Sequence, residues 1–130
     1  MLFALSSPAF RNGGTIPVRY TCMGAGLSPP LRWTAPPGGT RSLALVVTDP
    51  DAPGGTFVHW RATGIPPRAG VIAAGRRFAH EARNSFGAHG WSGPCPPPGA
   101  TPHRYRFVLS ALDARGRTIA TAVLLGRFGR

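Results

Sequence analysis

Two aspartates and a histidine stand close together in the segment TDPDAPGGTFVHW, between residues 48 and 60. An apolar run ends at Asp49, prolines and a glycine pair follow, and a second apolar run then carries His59 beside Trp60. Two of the chain's four acidic residues lie here, although the chain has a net charge of +11. A carboxylate beside an imidazole can fix the ring tautomer and favour its protonated form. The segment is therefore the first candidate for a functional site.

Side-chain alternation adds further polar groups to this candidate. In a β-strand, residues i and i+2 point to the same face, so an apolar row can be followed along each predicted strand. If the rows of different strands meet in one core, polar residues at their ends converge at its rim and form a small pocket with apolar walls. Three predicted strands place such a residue at or near the end of an apolar row: Asp49, His59, and the pair His103 and Tyr105.

Short apolar runs separated by turn residues predict a β-rich fold. Glycine and proline account for 18 and 15 of the 130 residues and punctuate these runs, which favours an antiparallel sandwich or barrel in one domain, residues 1–130. Ala74–Arg83 has a weak helical pattern, and Thr118–Leu125 fits a helix or a strand. The predicted strands are Thr15–Tyr20, Leu31–Thr34, Ser42–Thr48, Thr56–Thr63 and His103–Leu112.

Charge and hydropathy narrow the possible partners. All 15 basic residues are arginines, and they are scattered without a basic run, so anions are attracted in general but no specific nucleic-acid partner is expected. No apolar stretch reaches the roughly 18 residues that a transmembrane helix needs. The N-terminus lacks the basic region of a signal peptide. We therefore expect a first strand there and a cytoplasmic location.

Neither the cysteines nor the histidines have the local spacing of a metal site. Cys22 and Cys95 permit one disulfide at most, and free thiols are the usual state in the cytoplasm. Both cysteines lie in Gly/Pro-rich loops that could meet, so the sequence leaves their pairing open. We expect no metal and no cofactor, and two of the histidines are expected in exposed loops, His80 and His89.

Four sequence blocks stand in order between about Ser7 and Asp113: SPAF…GGTIPVRYTCMG…SPPLRW, SLALVVTDPDAP…FVHW, NSFG…GWSGPCPPPG and HRYRFVLSALD. Together they resemble the phosphatidylethanolamine-binding protein family, in its bacterial YbhB/YbcL branch of Raf-kinase-inhibitor-like proteins. The resemblance implies a mainly β fold with two antiparallel sheets in a Greek-key-like sandwich and few short peripheral helices. It also implies a pocket at one end of the sheets for phosphate-like anions or phospholipid head groups.

The resemblance also assigns residues to this pocket. Histidine N–H groups and the tyrosine O–H would donate to the anion, and the aspartate would accept from a histidine ring or from a protonated ligand oxygen. Affinity for phosphate should then rise as the pH falls through roughly 6.5. Relatives often have a cis peptide at the position of Asp49–Pro50. Carried over by motif, the pocket residues are Asp49, His59, Gly93, Pro94, His103 and Tyr105.

The C-terminal segment departs from the family pattern. Relatives carry a sizeable helix after the strand that ends in ALD, whereas here LDARGRTIATAVLLGRFGR follows at about half that length. We expect a shortened C-terminal helix and a less covered surface on that side. A homodimer is one way to cover such a surface.

Three functions remain open at this stage. The first is a non-enzymatic binding protein with an anion pocket, which some relatives combine with regulation of a kinase or another partner protein. The second is a small hydrolase or lyase that uses Asp49 and His59 as a dyad. Its nucleophile is missing, because Ser85, Ser92 and Cys95 do not lie in a nucleophile elbow. The third is a protein-interaction inhibitor with a vestigial pocket.

Overall fold

Two β-sheets form the framework in the computed structural model, which describes residues 2–130. The larger sheet has the strand order β2-β9-β8-β4-β5-β7, and the smaller has the order β1-β3-β6. The predicted β-sandwich is therefore confirmed. The strands are β1 (Leu5–Ser6), β2 (Gly14–Thr15), β3 (Leu31–Trp33), β4 (Ser42–Asp49), β5 (Phe57–Ile65), β6 (Gly70–Ile72), β7 (His80–Glu81), β8 (His103–Leu112) and β9 (Thr118–Phe128).

The centre of the larger sheet follows the alternation that the sequence predicts. Every second residue of β4 is buried, ending at Asp49, and every second residue of β8 is buried, beginning at His103. The two strands are antiparallel neighbours, with Thr48 opposite Arg106. The last residues of β4 therefore lie beside the first residues of β8. This pairing brings two of the expected site residues to the same end of the sheet.

A β-bulge in β5 changes the alternation at the third site residue. Val47 pairs with Trp60 and Thr48 pairs with Val58, so His59 is the extra residue between them. A bulge lets two consecutive side chains point toward the same side of a sheet. His59 and Trp60 are accordingly both buried, whereas strict alternation would expose one of them.

Some predicted elements need correction. Thr15–Tyr20 is not a strand, because Pro17 has no N–H for a ladder and a 3-10 turn follows at Val18–Tyr20. Ala74–Arg83 forms a turn followed by β7 rather than a helix, since β7 pairs with β5. The larger sheet is also not wholly antiparallel, because β2 pairs with β9 in parallel.

The C-terminal segment forms a strand, and the shortened C-terminal helix that the sequence predicts is not found within residues 2–130. Thr118–Phe128 pairs with β8 along nearly its whole length, and its Thr, Ile and Val side chains suit that conformation. The turn before it is held by Asp113, whose carboxylate accepts from the backbone N–H groups of Arg115 and Arg117.

One face of the larger sheet lies open on the side away from the core. Val46, Val108 and Val123 are register neighbours there, and Val123 is 42% exposed. The homodimer that would cover such a face stays a prediction. Among the described residues, no helix has the length and hydropathy to cross a bilayer. Every described peptide bond is trans, so the cis bond expected at Asp49–Pro50 is not found.

Candidate functional site

Asp49 is a buried carboxylate that accepts hydrogen bonds from two donors. Its Oδ2 accepts from His103 Nδ1 at 2.7 Å, and its Oδ1 accepts from the backbone N–H of Asp51 at 2.8 Å. The second bond forms the turn that the DPD sequence favours, because an Asp side chain readily accepts from the N–H two residues later. The side chains of Asp49 and His103 are only 5% and 8% exposed. Asp49 therefore orients the His103 ring within a desolvated pair.

The ring of His59 is oriented by a backbone carbonyl. Its Nδ1 lies 2.7 Å from the carbonyl oxygen of Ser92, and because a carbonyl only accepts, Nδ1 carries the proton. Burial lowers the pKa of His59 below its usual value, although the Ser92 carbonyl and the charge of Asp49 oppose this shift. The neutral form of the His59 ring is therefore favoured in the unliganded site.

Both histidines face one small cavity of about 210 Å³. Each ring uses Nδ1 in a hydrogen bond to the protein. Within residues 2–130, neither Nε2 has a hydrogen-bond partner, and neither is among the polar atoms that are buried without a partner. The two Nε2 atoms are therefore the accessible polar atoms of the two rings. The other lining residues are mostly apolar: Ala52, Pro53, Phe57, Phe86, Cys95, Pro96 and Pro97, together with Asp49.

Aromatic rings close one side of this histidine cavity. Phe57 and Phe86 pack edge to face with their centroids 4.5 Å apart, and both lie within 6 Å of the His59 ring. Phe86 is 55% exposed, so it forms part of the mouth of the cavity. An exposed aromatic ring at a polar cavity can contact a ligand that extends outward.

Tyr105 lies behind the cavity wall and has an unusual hydroxyl. Its ring packs edge to face on His59 at 5.3 Å, and its side chain is fully buried. The hydroxyl has no hydrogen-bond partner in the described structure. Burial and the negative charge of Asp49 raise the pKa of Tyr105, so the hydroxyl remains a neutral donor.

Gly93 and Pro94 lie beside the cavity rather than in its lining. A Cβ at Gly93 would approach the carbonyl oxygen of Tyr20 to 2.7 Å, so glycine is required for close packing of two loops. The Pro94 carbonyl accepts from the N–H of Cys22. The two residues support the next segment, which does line the cavity.

The structure adds Asn84, Phe57 and Phe86 to the site. Asn84 holds the loop between β7 and β8, since its Nδ2 donates to Ser92 Oγ and its Oδ1 accepts from the N–H of Phe86. This network fixes the carbonyl that orients His59 and the aromatic ring at the mouth. The segment NSFG contains both residues, but its sequence alone indicates only a turn.

The hypothesis of an Asp49–His59 dyad is wrong. Asp49 bonds His103, and His59 Nδ1 bonds the Ser92 carbonyl, so no proton path joins Asp49 directly to His59. The reason is topological, because β4 ends beside the start of β8, while the bulge in β5 points His59 toward the loop at Ser92.

Cys22 and Cys95 form a disulfide, with their Cα atoms 5.4 Å apart. The structure thus answers the question of pairing that the sequence leaves open. Both cysteines lie in irregular loops that pack together at Gly93, and this contact brings the two sulfurs into range. The disulfide also removes Cys95 from the possible nucleophiles.

A larger and more open groove of about 1060 Å³ adjoins the histidine cavity at His103. Arg104 binds Asp51 with Nε and Nη2 at 3.0 and 2.8 Å, and this contact lowers the pKa of Asp51 to about 2. Arg127 lies directly opposite Arg104 across the strands. The groove is therefore positively charged, and it gives anions a favourable approach to His103.

The fold and the sequence together define the family. The sequence profile described as "Phosphatidylethanolamine-binding protein" matches residues 6–128. A protein of Mycobacterium tuberculosis, LppC, named as a candidate lipoprotein, is 50% identical over 107 residues, which is 81% of this chain and 53% of LppC. A UPF0098 protein of Methanothermobacter thermautotrophicus is 46% identical over 116 residues, 84% of this chain and 76% of that protein.

A solved structure agrees with these matches. The crystal structure of a protein named as a candidate phosphatidylethanolamine-binding protein homologue, CT736 of Chlamydia trachomatis, superimposes with a TM-score of 0.91 at 34% identity. The match covers 98% of this chain and 97% of that one. The chain belongs to the phosphatidylethanolamine-binding protein family. It spans about half the length of the first mycobacterial relatives that it matches.

Proposed function

We propose that the histidine cavity binds one phosphate-like anion and that the protein acts by binding rather than by catalysis. The observation that carries this proposal is the pair of buried histidines whose Nδ1 atoms are bonded to the protein while both Nε2 atoms are left accessible at the cavity. With Nδ1 protonated, each ring donates from Nε2 once it takes up a second proton. The cavity then presents two charged donors to one anion.

Asp49 has a supporting part in this proposal. A carboxylate would repel a phosphate, but both of its oxygens already accept hydrogen bonds within the protein. Its bond to Nδ1 of His103 holds that ring with Nε2 accessible at the cavity. Tyr105 supplies a buried neutral hydroxyl behind His59, and Gly93 and Pro94 hold the wall on the far side.

The proposal that the protein does not act as a catalyst is supported by the residues that line the cavity. Covalent catalysis requires a free nucleophile next to a base. Cys95 is in a disulfide, Ser92 Oγ accepts from Asn84, and Ser85 Oγ accepts from the N–H of Val58. Neither serine belongs to the cavity lining. Binding is the function that the remaining groups support.

The size of the cavity limits how much of a ligand it encloses. A volume of about 210 Å³ accommodates a phosphate group and a few further atoms, so the rest of the ligand must pass Phe86 at the mouth. A phospholipid head group, a small phosphate ester and a phosphorylated side chain of a partner such as a kinase share this chemistry. We propose the phosphate group as the recognised element.

Substitution of the two histidines tests this proposal. His59→Asn and His103→Asn each keep a donor at the Nδ1 position and remove Nε2, so the folded wall is preserved. We expect inorganic phosphate at pH 6 to bind each variant at least tenfold more weakly than the native protein, because one charge-assisted hydrogen bond is worth roughly 1.5–3 kcal/mol. Isothermal titration calorimetry in 150 mM salt measures the affinities and suppresses weak binding to surface arginines.

His89→Asn is a matched control. His89 also uses Nδ1 to donate to a carbonyl, that of Glu81, but it lies outside the cavity. This variant should bind phosphate like the native protein. Equal binding by all three variants would refute the proposed site. Vesicles of phosphatidylcholine with and without phosphatidylethanolamine then distinguish a lipid head group from soluble phosphate esters.

The cellular location follows from separate observations. A disulfide between exposed cysteines suits an oxidising compartment. The relative LppC is named as a candidate lipoprotein. We therefore propose an oxidising location in place of the cytoplasm that the sequence favours. Labelling of thiols in intact cells before lysis tests this, because an oxidised pair remains unlabelled.

A further inference from the structure

One wall of the histidine cavity is a short strap, residues 95–100, with the sequence CPPPGA. Its first three residues, Cys95, Pro96 and Pro97, line the cavity directly. Three consecutive prolines have no N–H groups, so this strap cannot join a sheet through its own donors. Its position must be set by other contacts.

The contacts that hold the strap converge on two residues. Cys95 is bonded covalently to Cys22 in the neighbouring loop. Arg130 adds two hydrogen bonds, since its Nε donates to the Pro96 carbonyl and its own carbonyl accepts from the N–H of Gly99, both at 2.6 Å. The Arg130 guanidinium also reaches Met23 Sδ at 3.4 Å. The disulfide is therefore the one covalent link between this wall and the loop of Cys22.

The two cysteines of the disulfide lie at the protein surface. Cys22 and Cys95 are both exposed residues, as are Met23 and Pro97 beside them. Thiol–disulfide exchange requires a thiolate to reach one of the two sulfurs, and exposed disulfides are the ones that react most readily. A crosslink in a stable core would be protected, whereas this one combines exposure with a place in the cavity wall.

We propose that the Cys22–Cys95 disulfide is a reversible redox modification site, with a dithiol as the reductant. In its oxidised form this disulfide acts as a latch, because it holds the cavity wall in a fixed position. A thiolate of the dithiol attacks one sulfur of the pair and releases the other cysteine as a thiolate, which takes up a proton. The second thiol of the reductant, as a thiolate, then attacks the reductant sulfur of the mixed disulfide and releases the first cysteine as a thiolate, which also takes up a proton. The reductant leaves as a disulfide, and the protein gains two electrons and two protons as two thiols.

Reduction changes the cavity in a defined way. Without the crosslink, the strap is held by the Arg130 contacts and, at its start, by the bond from the Cys22 N–H to the Pro94 carbonyl, so Pro96 and Pro97 are less firmly fixed opposite the two histidines. An anion site depends on preorganised geometry, and a mobile wall admits water that competes for the Nε2 donors. The reduced protein therefore binds phosphate more weakly than the oxidised one. This consequence rests on the proposed anion site, while the release of the strap does not.

Two measurements on the whole protein test the latch. The protein is treated with dithiothreitol, and the reductant is removed under argon. Hydrogen–deuterium exchange then reports the peptides that contain Cys22–Gly24 and Cys95–Ala100, the second through the amides of Cys95, Gly99 and Ala100 because proline has none. Calorimetry reports the affinity for inorganic phosphate at pH 6. We expect faster exchange in both peptides, with the strands β4 and β8 unchanged, and at least a fivefold weaker affinity.

The controls separate the latch from the anion site. Cys22→Ser/Cys95→Ser should behave like the reduced protein and not respond to dithiothreitol. If this variant does not fold, the reduced native protein, checked by circular dichroism, gives the answer alone. Equal phosphate affinity or unchanged exchange after reduction would overturn the latch. If neither redox form binds phosphate while exchange still increases, the anion site fails and the release of the strap stands.

Discussion

Two buried carboxylates show how a structural acid and the acid of the proposed anion site differ in this protein. The Glu81 side chain is 3% exposed, and the Asp49 side chain is 5% exposed. Glu81 accepts from Trp60 Nε1, from Arg77 Nε and from the N–H of Phe78. Both carboxylate oxygens of Glu81 are thereby used in hydrogen bonds to these three donors.

Asp49 is buried to a similar extent as Glu81, but it has a different set of neighbours. Its partner His103 retains an unbonded Nε2 at the cavity, and the buried hydroxyl of nearby Tyr105 has no hydrogen-bond partner within residues 2–130. A fully satisfied polar network stabilises one conformation, whereas one with remaining capacity is available to a ligand. Burial of an acid alone is therefore a poor sign of function, and unused hydrogen-bonding capacity beside it is a better one.

The largest effect is an expected loss of stability on substitution of Glu81, the structural acid. Glu81→Ala leaves the Trp60 indole N–H and the Phe78 N–H without an acceptor, and each unsatisfied buried donor costs about 1–3 kcal/mol. We expect the free energy of unfolding in urea at pH 7 to fall by about 3 kcal/mol. The phosphate affinity of the folded protein should stay within twofold of the native value. A tenfold loss of affinity would show that Glu81 also supports the cavity.

The corresponding change at Asp49 should act on binding. In Asp49→Asn, the amide oxygen can still accept from the N–H of Asp51, and the NH₂ group then faces His103 Nδ1. The neutral ring responds by moving its proton to Nε2, so it donates into the cavity without being charged. The charge that repels phosphate is removed as well. We expect about tenfold tighter phosphate binding at pH 8, equal to about 1.4 kcal/mol.

Calorimetry at pH 8 and at pH 6 measures this effect. The native protein should bind more tightly at the lower pH, and the variant should show a flatter dependence. The double variant Asp49→Asn/His103→Asn should lose the gain, since the tautomer of His103 carries it. Weaker binding by Asp49→Asn at pH 8 would mean that the carboxylate does more than orient the ring.

Tyr105→Phe examines the unused hydroxyl directly. Removing an unsatisfied buried O–H should raise the free energy of unfolding by about 1 kcal/mol in the absence of an anion. Phosphate should stabilise the variant as much as it stabilises the native protein, because the hydroxyl is buried behind the His59 ring and does not line the cavity. Urea titrations with and without phosphate give both values. A variant that is less stable without phosphate would indicate a hydrogen bond to ordered water.

The sequence predicts this end of the molecule better than it predicts the details of the site. Alternation places Asp49, His103 and Tyr105 on the buried face of the larger sheet, because β4 and β8 are regular and neighbouring strands. It does not predict which histidine Asp49 binds, since that depends on the strand order and on the bulge at His59. The roles of Asn84 and the strap depend on long-range contacts that have no local pattern.

The smallest expected effect is a pH dependence of stability at His59. Burial lowers the pKa of this histidine in the folded state, so the unfolded chain binds a proton at a higher pH than the folded chain does. The contribution to stability is complete above about pH 6.5 and is lost as the pH falls from there toward the lowered pKa. Urea unfolding between pH 7.5 and 5 should show this loss in the native protein and in His89→Asn, but less of it in His59→Asn. Phosphate should reduce the loss, because it binds the protonated ring. A loss that is equal in all three proteins would locate the titrating group elsewhere.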